Sequence, residues 1–333
     1  MRVNPAEHRI DSEKMYSPPL VTIFTPTYDR AHTLHRVFDS LRAQTLRSFE
    51  WLVIDDGSTD DTERIITNWA CAADFPIRYI RQCHAGKHFA HNRALKEARG
   101  QFFACLDSDD ALPQDSLERL VTLWHTIPMD ERGKFYSVGG LCRDQWDRIV
   151  GTRFPTEPYD ADLREMIFVH DVRGEKWILG LTDIMRRYPF PEISKTDFVP
   201  EGLVWLDIAK TFKTRWTNCA VRTYYVDDPQ TGGTLSKRIR PSENAAGRWC
   251  YYVWFLNNNI EYFSRSPMPF LKAAVMLPIV GRLSKKPLKE TLTDLGNIHA
   301  KLLVVAAVPV SVTVYIIDLL RSLMGRGTPK KSP

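Results

Sequence analysis

Residues 49–60 read FEWLVIDDGSTD: six β-forming positions that run straight into two acids, a glycine and a serine. The apolar run suits a strand, and Asp-Asp-Gly-Ser suits the turn at its carboxyl end. Working outward, the pattern repeats. Leu20–Thr25 (LVTIFT), Ile77–Arg81 (IRYIR) and Gln101–Leu106 (QFFACL) are further short β-rich runs. Leu34, Val37, Phe38 and Leu41 recur at helical spacing, as do Leu117, Leu120, Val121 and Trp124. Strand–helix–strand alternation with short links predicts an α/β fold, a mostly parallel sheet with helices on both faces. The right-handed crossover rule places the four strand carboxyl ends along one edge. Beyond Trp124, Phe135–Cys142 and Thr214–Val226 read as strands and Gly202–Lys213 as a helix. Residues 227–248 form a polar, glycine-containing seam.

The 333 residues, 44% hydrophobic and 26% charged, suffice for a domain of about 200 residues with a smaller appendage, and exclude wholesale disorder. Six scattered cysteines (71, 83, 105, 142, 219, 250) fit neither a disulfide framework nor a zinc ribbon, so a reducing compartment is expected. Met1–Leu20 holds no apolar core of signal-peptide length, so export by that route is not expected. Charge is unevenly placed. From Arg265 onward, eleven Lys/Arg face three acids, a net +8 within a total of +5, which leaves residues 1–264 at −3. An acidic body argues against nucleic acid as a partner, and a basic tail argues for an anionic membrane surface. That tail contains Leu302–Ile317, sixteen residues without a charge. This length leaves a re-entrant or interfacial helix, one spanning helix and a core helix all open. Phe270–Leu283 is apolar too, but broken by Lys272, Pro278 and Arg282.

Ligands of doubly wound sheets bind outside the strand carboxyl ends. Those positions here are Thr25–Arg30, Asp55–Asp60, Cys83–His88 and Asp107–Asp110. Three of the four are acidic. Each aspartate alone could be a helix cap, but converging carboxylates repel one another unless a cation sits among them. Oxygen donors select hard cations, and Mg²⁺ or Mn²⁺ characteristically shares them with substrate phosphates. Neither G-x-G-x-x-G nor G-x-x-x-x-G-K-[ST] is present at a strand-to-helix turn, which removes the dinucleotide and P-loop readings. What remains is a metal-held nucleoside diphosphate, with Tyr28 placed to stack on its base.

VTIFTPTYDR, WLVIDDGSTDDT, HAGKHFAHNRALKEARG and FFACLDSDD, in that order, resemble the successive signatures of family 2 glycosyltransferases, inverting enzymes of the GT-A fold. The resemblance is strong over residues 20–115 and weaker through YPFPEISKTDFVPEGLVWLDIAKTFK, which is similar to a bacterial branch. It implies Mn²⁺ or Mg²⁺ on Asp107 and Asp109, with Asp107 a metal ligand or a ribose contact. It also implies base recognition by Asp56, stacking by Tyr28, support from Asp55, and nucleotide or phosphate contacts from Lys87 and Arg93. Pro26 and Asp29 fall in the same nucleotide segment. Many members take their general base from a Glu-Asp pair opening a helix. This chain has Glu201-Gly202, so Glu201 becomes the base candidate, with Asp207 and then Asp197 as fallbacks. The implied substrates are a UDP-sugar and a saccharide or lipid-linked acceptor at the cytoplasmic membrane face, in cell-surface polysaccharide or glycolipid synthesis. The expected organisation is a leader over 1–18, a GT-A domain over 19–240 and a helical membrane-associated region over 241–333.

Three other features bear on this reading. His84, His88 and His91 share one face if all are helical, which could suit zinc, but no neighbouring Cys or acid completes a tetrahedral set. Lys237, Arg238 and Arg240 follow Gly232-Gly233, where a basic loop could close over a diphosphate or meet lipid headgroups. The rival functions are a non-catalytic nucleotide-sugar-binding protein, suggested by the missing Asp at 202, and an Asp-based phosphotransferase. The latter needs D-x-D-x-[TV] on the first strand, whereas here D-x-D ends the fourth.

Overall fold

Val21–Thr27 (β2) is buried at every position but Pro26, and Phe49–Asp55 (β3) at every position. Strands without a solvent face belong to the middle of a covered sheet, and both lie there in this computed structural model of the chain. The structure describes residues 8–11, 18–193, 196–226 and 244–325. The remaining strands are β1 (Arg9–Asp11), β4 (Ile77–Arg81), β5 (Phe102–Cys105), β6 (Phe135–Arg143), β7 (Tyr159–Ala161), β8 (Lys176–Leu181) and β9 (Lys213–Thr223). Sheet order is β1-β4-β3-β2-β5-β8-β6-β9-β7. The block β4-β3-β2-β5 is parallel, so its four carboxyl ends do share one edge. Outside it the sheet is mixed, since β8 runs antiparallel to both β5 and β6, while β9 returns parallel to β6.

Helices α1 (Leu34–Arg42), α2 (Thr62–Ala72), α3 (Lys87–Glu97) and α4 (Ser116–His125) supply the crossovers. Side chains alternate across a strand, so neighbours such as Ile23 and Phe24 face opposite layers. Ile23, Trp51, Val53 and Ala104 join one core with Leu34, Val37 and Leu41 of α1, Ile66 of α2 and Leu117 of α4. On the other face Phe24 and Phe103 meet the edge of His91 from α3, which also touches Phe190 and Trp205. Trp205 belongs to α7 (Gly202–Ile208), which follows the short α5 (Leu163–Phe168) and α6 (Thr182–Met185).

Within residues 1–18, which the sequence sets apart as a leader, the described residues 9–11 form an edge strand. Arg9–Asp11 pairs antiparallel with β4, Ile10 leans on the core and Arg9 pairs with Glu97.

The described residues divide into two compact units, one within Met1–Asp197 and Val204–Ile239, the other within Phe198–Leu203 and Arg240–Pro333. The second is helical: α8 (Ala245–Asn259), α9 (Pro267–Leu283), α10 (Leu288–Asp294) and α11 (Ile298–Gly325). Phe255 meets Phe270 with ring centroids 4.9 Å apart, and the Ser311 hydroxyl donates to the Val275 carbonyl at 2.8 Å. The apolar run around 270–283, which the sequence reads as broken, forms one continuous helix with Pro278 inside it. In α11, Ala300, Val304, Ala307 and Ser311 are buried at i, i+4, i+7 and i+11, so one stripe packs. The other faces stay bare: Leu302, Val305, Val310, Val312, Val314, Ile316 and Leu320 are exposed. Ile298–Ile317 has a mean hydropathy of 2.2 and is only 22% buried, a helix long and apolar enough to cross a membrane. The basic loop residues Lys237, Arg238 and Arg240 lie outside the described residues.

Candidate nucleotide and metal site

The edge of the parallel block gathers the acids in two groups. At the end of β3, Asp55 is fully buried, accepting from the Ser58 amide at 2.8 Å and from the Tyr79 hydroxyl. It therefore shapes the turn, the supporting place that the resemblance implies for it. Asp56, also buried, accepts on Oδ1 from Gln82 Nε2 (2.8 Å) and the Ala85 amide (3.0 Å), and on Oδ2 from the Gly86 amide (2.8 Å). It pins the loop between β4 and α3. Two glycines allow this. Gly57 turns the chain at φ +91°, and Gly86 sits at φ +103°, where a Cβ would lie 2.8 Å from the Asp197 carbonyl.

The β2 end is tied to the same group. The Asp29 amide donates to Ser58 Oγ at 2.9 Å and Asp29 Oδ1 accepts from the Thr59 amide at 2.7 Å, with Asp29 itself at φ +51°. Pro26 is half-buried just before it, and Tyr28 is 46% exposed. Tyr28 stacks on His84, ring centroids 4.4 Å apart. His84 lies outside α3, which starts at Lys87, whereas His88 and His91 are buried on it. The three imidazoles thus do not share a helix face, and the zinc reading falls.

The β5 end is built on charge. Lys87 Nζ is 2.7 Å from Asp107 Oδ1, and Arg222 of β9 is 3.9 Å from Asp107 Oδ2 and 2.7 Å from Asp110 Oδ2. Ala111 bridges to Thr223, and Asp110 accepts from the Tyr225 amide, so β9 reaches the edge from outside the parallel block. Arg36 of α1 donates to the Asp109 carbonyl at 3.3 Å. Burial works to raise the Asp107 carboxyl, yet Lys87 and then Arg222 hold it below the usual range. Burial first, and Asp107 second, push Asp109 above it. Such a carboxylate gains from a nearby cation.

Asp107 and Asp109 are both half-exposed, and their donors are all oxygen, the set a hard divalent cation prefers. Among the described residues no group of three or more His, Cys, Asp and Glu converges on one point. A cation on these two carboxylates would complete its shell from phosphate and water, as Mg²⁺ and Mn²⁺ do. The residues present therefore fit the metal. Arg93 is half-buried six residues beyond Lys87 on α3. Asp207 on α7 pairs with Lys210 at 2.8 Å, Asp197 Oδ1 lies 3.4 Å from His84 Nε2, and Glu201, half-buried, immediately precedes α7.

Sequence reasoning placed Asp110 at the edge without its partner, and missed Arg222, Gln82 and Tyr79. The last two carry a signal, since both sit near the β4 end, where a buried hydroxyl or amide needs a partner. Arg222 carries none, lying 115 residues after Asp107 on a strand whose neighbours only the fold supplies.

Residues 22–155 match the family model described as Glycosyl transferase family 2. The chain is 30% identical over 208 residues to the Escherichia coli UDP-Glc:alpha-D-GlcNAc-diphosphoundecaprenol beta-1,3-glucosyltransferase WfaP, covering 62% of this chain and 76% of that protein. It is 37% identical over 113 residues to the chondroitin synthase of E. coli, 34% of this chain. That match and the one to an uncharacterized glycosyltransferase of Rickettsia felis each span only 16% of the relative's length. Residues 1–349 of TarS from S. aureus superpose with a TM-score of 0.55 at 17% identity, over 92% of this chain and 91% of that one, a likeness of fold. With the acidic strand ends in place and a relative matched over most of its length, the chain belongs to glycosyltransferase family 2.

Proposed function

We propose that the protein transfers a sugar from a nucleoside-diphosphate sugar to an acceptor hydroxyl, inverting the anomeric carbon. The observation that carries this is the Asp107–Asp109 carboxylate pair at the end of β5, with Lys87 against one of its members. When bound there, Mn²⁺ or Mg²⁺ supplies charge for the diphosphate leaving group. Lys87 adds a cation beside the same oxygens, and Tyr28 and Asp56 take the base. Glu201 removes the proton from the acceptor hydroxyl as its oxygen bonds to the anomeric carbon and the sugar–phosphate bond breaks, its electrons passing to the diphosphate. Asp207 is the alternative base. WfaP is named for UDP-Glc and a diphosphoundecaprenol-linked acceptor, and TarS has been solved with UDP-GlcNAc, which supports a UDP-sugar donor and a lipid-linked or saccharide acceptor.

A panel of nucleotide sugars, followed by release of nucleoside diphosphate with and without EDTA, tests the assignment. Transfer should vanish with EDTA and in Asp109→Ala, whose thermal stability should lose its response to Mn²⁺ but not fall in metal-free buffer. Glu201→Gln should lower turnover roughly 10²–10⁴-fold while still binding donor. EDTA-insensitive turnover refutes the metal, an active Glu201→Gln beside a dead Asp207→Asn moves the base, and donor binding without turnover selects the non-catalytic alternative.

The region from Arg265 on, with its +8 charge and the bare faces of α11, supports attachment to the cytoplasmic membrane face. Basic side chains near an anionic surface add about 1 kcal/mol each, and inserted apolar area adds a part that salt does not screen. Membrane fractions should release the protein partly in high salt and more fully in alkaline carbonate or detergent. Resistance to carbonate would mark a spanning helix, and a wholly soluble protein at physiological salt would refute attachment.

A further inference from the structure

His84 makes the contacts that a nucleobase would make. Its ring stacks on Tyr28 with centroids 4.4 Å apart and planes 26° from parallel. Its Nδ1 lies 2.9 Å from Asp56 Oδ2, and its Nε2 lies 3.4 Å from Asp197 Oδ1. An aromatic face and the Asp56 carboxylate are what the proposed function reserves for the base.

The acceptor count at Asp56 sharpens this. A carboxylate offers about four acceptor positions. Gln82 Nε2 and the Ala85 amide occupy two on Oδ1, and the Gly86 amide occupies one on Oδ2. The His84 ring covers the open side of Oδ2: its Nδ1 lies 2.9 Å from that oxygen and pairs with the Asp56 main-chain carbonyl at 3.2 Å. Of these four donors, two are backbone amides fixed by the turn at Gly86, and Gln82 is buried at 8% exposure. The His84 side chain is 42% exposed. It alone can swing into solvent about its own side-chain torsions, leaving the backbone in place. Departure of the ring uncovers one face of Tyr28 together with Oδ2 and the main-chain carbonyl of Asp56.

We infer that His84 is an internal stand-in for the nucleobase, and that a nucleoside diphosphate binds by displacing it. This rests on Tyr28 and Asp56 forming the nucleotide site. The competing ring lowers the apparent affinity by the fraction of molecules in which it is swung away. Removing it should tighten binding about 3- to 10-fold, the size of one aromatic stacking contact. His84→Asn, which keeps a donor for Asp56 but has no aromatic ring, should fall between His84→Ala and the wild type.

The test is calorimetric titration of the full chain with UDP, and separately with GDP, in Mn²⁺. The expected order of affinity is His84→Ala, then His84→Asn, then wild type, then Tyr28→Ala. If Tyr28→Ala weakens binding while His84→Ala leaves it equal or weaker, the nucleotide site stands. His84 is then one of its walls, and the inference is overturned. If neither nucleotide binds the wild type, or Tyr28→Ala binds as well as wild type, the nucleotide reading fails and takes the inference with it.

Discussion

The ends of β3 and β5 look alike as sequence, Asp-Asp-Gly-Ser against Asp-Ser-Asp-Asp, yet the fold treats them in opposite ways. At β3 the carboxylates accept from uncharged donors, the amides of Ser58, Ala85 and Gly86, the Tyr79 hydroxyl and the Gln82 side chain, with the His84 ring beside Asp56 Oδ2. At β5 they are balanced by cations, Lys87 on Asp107 and Arg222 on Asp110. Neutral donors fix a shape. Cations fix a charge, and a charge balanced partly by a lysine on an open edge can be rebalanced by a metal and a diphosphate. An acid-rich strand end therefore says where a site is, and its partners say which task it performs there.

The sharpest way to break this contrast is at Arg222. It is buried at 7% exposure between Asp110 and Asp107, and its guanidinium is held charged. Arg222→Met would leave a buried carboxylate without its counter-charge, a loss of roughly 3–5 kcal/mol. Adding Asp110→Asn should restore much of that stability, because the surviving charge problem is removed with its cause. Chemical denaturation of the two single variants and the double variant measures the coupling. Additive losses would mean that Arg222 acts through packing, and the charge-balanced description of the β5 end would be wrong.

A smaller effect is expected at Asp55. Asp55→Asn keeps the shape but replaces an acceptor by an amide, so either the Ser58 amide or the Tyr79 hydroxyl meets the wrong group. Losing one hydrogen bond to a charged acceptor costs about 1.5–3 kcal/mol. Stability should fall by that amount with Mn²⁺ binding unchanged, the reverse of the pattern at Asp109. A variant with normal stability but impaired Mn²⁺ binding would erase the distinction between the two ends.

How far the sequence could be read follows the same division. Strands β2 to β5 were legible because each is an uninterrupted apolar run ending in turn residues, and periodicity alone placed α1 and α4. Tyr28 and the acids were legible by position, since a parallel block puts its ligands at one edge. The partners were not. Whether Asp56 holds a base or a loop depends on Gln82, Ala85 and Gly86 folding back over it, and that return depends on the φ of Gly86. The antiparallel strand β8 was equally hidden. Its Trp177 donates to the Cys105 carbonyl at 2.6 Å, a contact across 72 positions that no local pattern announces. Arg9–Asp11 was hidden because three residues are too few for periodicity to register.

The smallest effect concerns what acid does between the two ends, where α3 begins. His88, in its first turn, is 2% exposed, with Nε2 3.3 Å from the Ile193 carbonyl. Burial holds its pKa below the ordinary imidazole value of 6.5, against weaker opposing pulls from the Ile193 carbonyl, Asp56 and Asp197. The sign follows. The folded state keeps His88 neutral while the unfolded chain takes up a proton as pH falls through about 6.5, so stability is full above that value and declines below it. The decline from one such group cannot exceed about 1.4 kcal/mol per pH unit. His88→Gln retains a donor for the Ile193 carbonyl and removes the titration. Melting temperatures of wild type and variant, followed from pH 7.5 to 5.5, should therefore converge as the wild type loses stability faster. Parallel curves would mean that His88 titrates alike in the folded and unfolded chain, and would shift any acid sensitivity away from α3. The β5 acids would not supply it in this range. Burial raises Asp109 and Asp110, which favours the folded state as pH falls, and Asp107 is held low, so its contribution is lost only in stronger acid.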